Sequence, residues 1–341
     1  MGIRGRRQPD FENLALILEK KRPKRPTPFE FMIDEPHLRR LAGSRFRKGG
    51  MKEHLTSTIY AFANGGFDYA MVHASQFHFR VGERHRAQSI SQNEGALITD
   101  RESFDRYIWN DPRDFSLEPL EEAARELPEG MKLIICCPCG VLENVVAIVG
   151  YENLCYMAYE DEALVEDIFE QVGSRLVTYC RDALRYDFVG AIMSNDDWGF
   201  NTQTMLPPEM MRRYVFPFHK EIVSAAHAAG KYAMLHSCGN YSLIIEDVIE
   251  DMKFDGRHSY EDVIEPVETA YERLKGRLAV LGGIDMDYLA RSSPEEITQR
   301  SRKMLERAQD AGGYALGSGN SIAEYVPFEH FLAMLQVALN G

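Results

Sequence analysis

The sequence contains no run of about 18 uncharged apolar residues, the length a membrane-spanning helix needs. It has no low-complexity tract, no glycine–serine linker and no short internal repeat. A single domain over residues 1–341 is therefore expected, with residues 1–26 as a basic N-terminal extension. The stretch from Met1 to Lys24 carries cations but neither an apolar h-region nor a small-residue cleavage site. Secretory export is not expected, and the cytoplasm is the expected compartment. No G-x-G-x-x-G follows the first apolar run, so a dinucleotide-binding open sheet lacks its fingerprint. H-E-x-x-H and G-x-S-x-G are absent too, which removes the sequence support for a zincin or an α/β-hydrolase. The six cysteines show no regular spacing and read as thiols or metal ligands, not as a disulfide framework.

What is present is the balance of a soluble globular chain: 45% hydrophobic and 27% charged residues over 341 positions. The net charge of −13 is uneven. Residues 1–50 hold 13 Lys and Arg against 6 Asp and Glu, a balance of +7, which leaves −20 for the remaining 291. An acidic body argues against a nucleic-acid partner. The basic arm reads either as a solvated surface segment or as a contact for an acidic partner.

Short apolar runs alternate with longer helical stretches. Eight strands are expected: 28–33, 69–73, 132–137, 188–194, 232–237, 254–258, 278–282 and 314–317. Between them Leu164, Ile168, Val172 and Leu176 fall at helical spacing within 161–185. Pro207-Pro208-Glu209 opens a helix that Gly230 closes, and Ser293-Pro294-Glu295-Glu296 opens another that ends at Gly312-Gly313. Alternation of this kind implies parallel strands joined by crossovers. Eight units in this length fit an α/β fold, a (β/α)8 TIM barrel. Residues 76–120 form an elaborated loop region after the second strand.

Barrels of this kind place chemistry at the carboxyl ends of their strands. His236-Ser237-Cys238 stands at one such end, and side chains two apart in a strand share a face. An imidazole and a thiolate converging there suit zinc, although a packed histidine and an inert cysteine give the same spacing. Asp196-Asp197-Trp198-Gly199 follows another strand. These carboxylates read as metal ligands, as supports for a ligating histidine, as proton donors, or as an Asx cap on the next helix. Asp285, after Gly282-Gly283-Ile284, reads equally as a cap or a pocket residue. Gly317-Ser318-Gly319-Asn320 offers backbone N–H groups to an anion. Cys136-Cys137-Pro138-Cys139 contains C-x-x-C but lies outside a thioredoxin-type pattern. His73 is a lone histidine after the second strand.

Taken in order, Asp196-Asp197-Trp198-Gly199, Pro207-Pro208-Glu209, His236-Ser237-Cys238-Gly239-Asn240, Gly282-Gly283-Ile284-Asp285, Gly312-Gly313-Tyr314 and Pro327-Phe328-Glu329 resemble the uroporphyrinogen decarboxylase superfamily. The likeness covers about residues 140–341 well and the first third weakly. It implies a (β/α)8 barrel and one of two chemistries. The decarboxylases carry an arginine-rich R-Q-A-G-R stretch, which this chain lacks; Arg4 to Arg7 is basic but different. The corrinoid-dependent methyltransferases carry H-x-C and a later cysteine as zinc ligands. His236 and Cys238 match the first part, while Ser318 stands where the later cysteine would be.

A site with one thiolate fewer is a better Lewis acid, which tilts the resemblance toward ether demethylation. The expected activity is then methyl transfer from a small methoxylated substrate to cobalamin on a partner corrinoid protein. Asp196, Asp197 and His236 are the candidate catalytic residues, and His236 and Cys238 the candidate zinc ligands. His73, Trp198, Phe200, Asn240, Asp285 and Ser318 are candidate substrate contacts. Phe77, Phe79 and Tyr241 join Trp198 and Phe200 as expected pocket aromatics. A homodimer is a candidate assembly. The alternatives are a metal-free decarboxylase using Arg80, Arg84 and Arg86, a methylcobalamin:thiol methyltransferase, and a non-catalytic subunit that docks a corrinoid protein.

Overall fold

The computed structural model describes residues 7–82 and 92–340. Seven parallel strands lie in sequence order in one sheet: β1 (Tyr69–Val72), β2 (Lys132–Cys136), β3 (Val189–Asn195), β4 (Tyr232–His236), β5 (Gly256–His258), β6 (Ala279–Leu281) and β7 (Tyr314–Ala315). Nearly every strand residue is buried, as continuous apolar runs in a covered parallel sheet should be.

The eighth expected strand, 28–33, is not a regular strand. It forms single bridges, Pro28 to Leu316 and Ile33 to Ile322. Proline has no N–H to give a ladder, so pairing at Pro28 does not propagate. The segment nevertheless links the two sheet edges. Phe29 N–H donates to the Leu316 carbonyl at 2.8 Å. On the other side the Tyr69 hydroxyl donates to the Glu30 carbonyl and accepts from its N–H, at 2.6 and 2.7 Å. Side-chain bonds thus replace a backbone ladder, and the sheet curls into a TIM-barrel-like α/β fold.

The helices follow the patterning. Leu164, Ile168, Val172 and Leu176 are all buried on the helix Glu162–Ala183, each worth about 1.5–3 kcal/mol of burial. Ser293 caps Pro294–Ala308 in a full capping box with Glu296. The helix expected to open at Pro207-Pro208-Glu209 comes in three pieces: Pro208–Met210, a wider π turn at Met211–Val215, and Phe216–Ala228. Pro217 supplies no N–H to that turn, which loosens it. The region 76–120 contains short helices at Arg101–Arg106 and Pro112–Asp114, and another begins at Glu118.

Within the basic segment 1–26, the helix Glu12–Leu18 buries Leu14, Ile17 and Leu18 completely. Arg7 donates to the carbonyls of Ala338 and Leu339, the last turn of Phe328–Asn340, where a cation complements the helix dipole. Among the described residues no helix is long and apolar enough to cross a membrane.

Candidate functional site

Strand β4 ends at His236, whose register partner across β5 is His258. The expected shared face holds. His236 Nε2 lies 3.6 Å from Cys238 Sγ, while His236 Nδ1 meets His258 Nδ1 at 2.7 Å. Phe31 stacks on the His236 ring at 3.9 Å and fixes its plane. The loop after β3 brings Asp197 alongside: its Oδ1 accepts from the Cys238 N–H at 2.9 Å. Asp197, His236 and Cys238 each place a ligand atom within 4.8 Å of the other two. A tetrahedral zinc with bonds of 2.0–2.3 Å spaces its ligands by roughly 3.3–3.8 Å, so the nitrogen–sulfur distance already fits. One oxygen, one nitrogen and one sulfur donor is also a set that zinc accepts with a position left open.

Two glycines make this approach of loops feasible. Gly239 has φ +84°, and a Cβ there would lie 1.9 Å from the Gly199 carbonyl oxygen. With both glycines in place, Asn240 N–H bonds the Phe200 carbonyl at 2.7 Å and ties the β3 and β4 loops together.

Adjacent in sequence, Asp196 and Asp197 have opposite surroundings. Asp196 is fully buried. Its oxygens accept from the N–H groups of Leu142 (3.0 Å) and Glu143 (2.9 Å) and meet His219 Nε2 at 2.9 Å. It therefore anchors the first turn of the helix Val141–Val149. Ser194 Oγ bonds His219 Nδ1 at 2.9 Å. The serine–histidine–aspartate connectivity is that of a nucleophilic relay, but all three side chains are buried, so the serine has no access to a substrate.

Electrostatics at the cluster favour the uncharged forms. Burial, then the neighbouring His258, hold His236 well below the usual imidazole range. His258 is pulled down to about 4, chiefly by burial. The Cys238 thiol is pushed up by burial and by Asp197 beside it. A divalent cation would reverse that preference, because it stabilises the thiolate directly. Glu143 rises to about 8 through burial and the nearby charges of Asp196 and Asp197.

Residues 96–340 match the sequence model described as Uroporphyrinogen decarboxylase (URO-D). The chain belongs to the uroporphyrinogen decarboxylase family. Comparison with curated proteins gives no sequence match. Among solved structures, a methyltransferase from Methanosarcina mazei is similar in fold. It has a TM-score of 0.70 and 14% identity, with 96% of this chain and 97% of that chain covered. An intracellular xylanase from Thermoanaerobacterium saccharolyticum is a looser likeness. Its TM-score is 0.44 at 10% identity, with 97% of this chain and 99% of that chain covered, and it carries no functional weight.

In this uroporphyrinogen decarboxylase family member the remaining candidates scatter. His73 is exposed beyond β1, its Nδ1 3.1 Å from the Cys136 carbonyl. Phe200 is exposed and meets Tyr151 edge-on at 5.8 Å. Trp198 and Tyr241 are fully buried against one another, and Phe77 and Phe79 are buried as well, so of the five expected pocket aromatics only Phe200 is exposed. Asn240 accepts from Ser242 N–H and Oγ and shapes its own turn. Asp285 accepts from Tyr288 N–H at 2.9 Å and from Asp262 N–H at 2.9 Å, which is the cap. Ser318 is fully buried, and its hydroxyl contacts Glu30 and the Asn320 carbonyl. Cys136 Sγ bonds Asn195 at 3.1 Å. Arg80 is exposed, and Arg84 and Arg86 lie outside the described residues.

Sequence reasoning missed His258, Glu30 and Glu143, and named Asn320 only as part of a glycine-rich stretch offering backbone N–H groups. His258 closes an expected strand, so its place at a carboxyl end was a usable signal. Glu143 reads as an ordinary first-turn glutamate, and its Oε2 does accept from Gly140 N–H at 3.0 Å.

Proposed function

We propose that this chain is a corrinoid-dependent methyltransferase that takes the methyl group of a small methoxylated aromatic substrate. The acceptor is a corrinoid carried on a partner protein that docks over the barrel mouth. Supporting the reading are family membership, a barrel fold shared with a methyltransferase, and above all the single sulfur in the Asp197–His236–Cys238 cluster. Thiol-activating sites hold their substrate on a thiolate-rich ion. Here the third donor is a carboxylate, and the Ser318 hydroxyl is turned to Glu30.

His236, Cys238 and Asp197 are the residues that would hold zinc. When bound there, the ion supplies Lewis-acid polarisation of the ether oxygen. The chain's own groups do the rest. The Cys238 N–H orients Asp197, Phe31 holds the His236 ring, and His73 and Phe200 meet the substrate at the open mouth. The methyl–oxygen bond breaks, the methyl passes to the acceptor, and the aryl oxygen leaves with the electron pair.

Both half-reactions, assayed with free cobalamin, test the reading. Methoxyaromatics with cob(I)alamin should give methylcobalamin, and methylcobalamin with coenzyme M should give little product. Fast thiol methylation without turnover of any methoxyaromatic would place the chain with the thiol methyltransferases. Turnover of uroporphyrinogen would make it a decarboxylase.

A further inference from the structure

Ser318 has no part in the cluster itself, yet it is fully buried and bonded through every polar atom it owns. Its N–H donates to Glu30 Oε1 at 3.2 Å. Its carbonyl accepts from Gly283 N–H at 2.8 Å and meets His258 Nε2 at 3.1 Å. Its hydroxyl touches both Glu30 Oε2 and the Asn320 carbonyl oxygen.

Counting protons fixes the roles. A carbonyl only accepts, so His258 must carry its proton on Nε2. The Nδ1 of a neutral His258 is then bare. Facing it at 2.7 Å, His236 Nδ1 must carry the proton of that pair. His236 Nε2 is left with its lone pair on the side of Cys238, the form in which an imidazole ligates a metal.

The same count applies to the hydroxyl. Ser318 Oγ meets both the Glu30 carboxyl and the Asn320 carbonyl; with its one proton on the Asn320 carbonyl, which cannot donate, it accepts from a protonated Glu30. With its backbone held, Asn320 has Oδ1 occupied by Ser321 N–H at 2.8 Å and directs Nδ2 to Cys238 Sγ at 3.3 Å.

We propose that Ser318, clamped by Glu30, is a positioning residue for two metal ligands at once: its carbonyl sets the His236 tautomer through His258, and its hydroxyl sets Asn320 against the Cys238 sulfur. This rests on the metal-site reading above. It gives the serine a role through the groups behind the ligands instead of as a ligand.

The test begins with the metal-free wild-type chain, labelled with ¹⁵N-histidine. The ring shifts should show His236 protonated on Nδ1 and His258 on Nε2. Protonation of His236 on Nε2 would overturn the proposal without any variant. Zinc and cobalt(II) affinities, measured by chelator competition, should then fall roughly 10–100-fold in His258→Phe, the loss usual for an outer partner of a metal-bound histidine. In that variant the fixed His236 tautomer should also be lost.

Ser318→Ala keeps the carbonyl, so the tautomers should stay while affinity drops and the cobalt–thiolate absorption band shifts. An unshifted band with unchanged affinity would refute the Asn320 arm. Glu30→Ala should behave like Ser318→Ala, and Glu30→Gln, whose amide N–H can donate to Oγ, should restore wild-type affinity. Expected tautomers in a chain that binds neither zinc nor cobalt would overturn the metal reading, and the ligand-positioning role with it, while separating that failure from a failure of the relay.

Discussion

Replacing Glu30 by glutamine should change how stability depends on pH. Glu30 is 1% exposed. Burial raises its carboxyl from 4.5 to about 8, against the smaller opposing effect of its bonds to Ser318. A protonated Glu30 is also the form that leaves the one proton of the Ser318 hydroxyl for the Asn320 carbonyl. A group whose folded pKa lies above its unfolded value contributes stability that is fully present below pH 4.5. That contribution is lost as pH rises through 8.

Three and a half pH units at about 1.36 kcal/mol each put the full loss on the order of 5 kcal/mol. The local slope approaches about 1.4 kcal/mol per pH unit. The glutamine side chain keeps an N–H donor for Ser318 Oγ and an oxygen for the Ser318 N–H, but has no proton to lose. Near pH 5 the two proteins should differ only by the exchange of one hydrogen-bond donor, within about 1 kcal/mol. By pH 9 Glu30→Gln should be the more stable by several kcal/mol. Guanidinium midpoints at pH 5, 7 and 9 measure this, and taking the difference between the two proteins cancels every other titrating group. A constant difference across that range would refute the reasoning. It would mean that Glu30 is ionised in the folded chain and that the serine proton is directed to it.

The purified protein should contain close to one zinc per chain by elemental analysis, and Cys238→Ala should lose it, because the sulfur is one of three donors preformed among the described residues. The two adjacent aspartates should separate cleanly. Asp196→Asn should lower the melting temperature, since it weakens a buried acceptor of two backbone N–H groups and His219, at a cost of about 1–3 kcal/mol. Asp197→Asn should melt near the wild type but lose metal affinity by at least the roughly 10–100-fold seen for outer-sphere partners.

The local sequence determined a good deal. Seven of the eight expected strands appear within about two residues of their expected ends, because fully buried parallel strands must be short apolar runs whatever surrounds them. The serine cap at Ser293 and the shared face of His236 and Cys238 are equally local, each set by a few consecutive residues. Tertiary structure decided what lies across the sheet. Asp196 and Asp197 look equivalent in sequence, yet one is spent on the Val141–Val149 helix and the other faces Cys238. His258 reaches His236 because β4 and β5 pair in that register. Glu30 meets Ser318 from 288 positions away because Pro28 bridges to Leu316. Periodicity reports which face a side chain takes along its own strand. It carries no record of strand order or register, and those two alone bring the second histidine, the buried acid and the serine behind the candidate ligands.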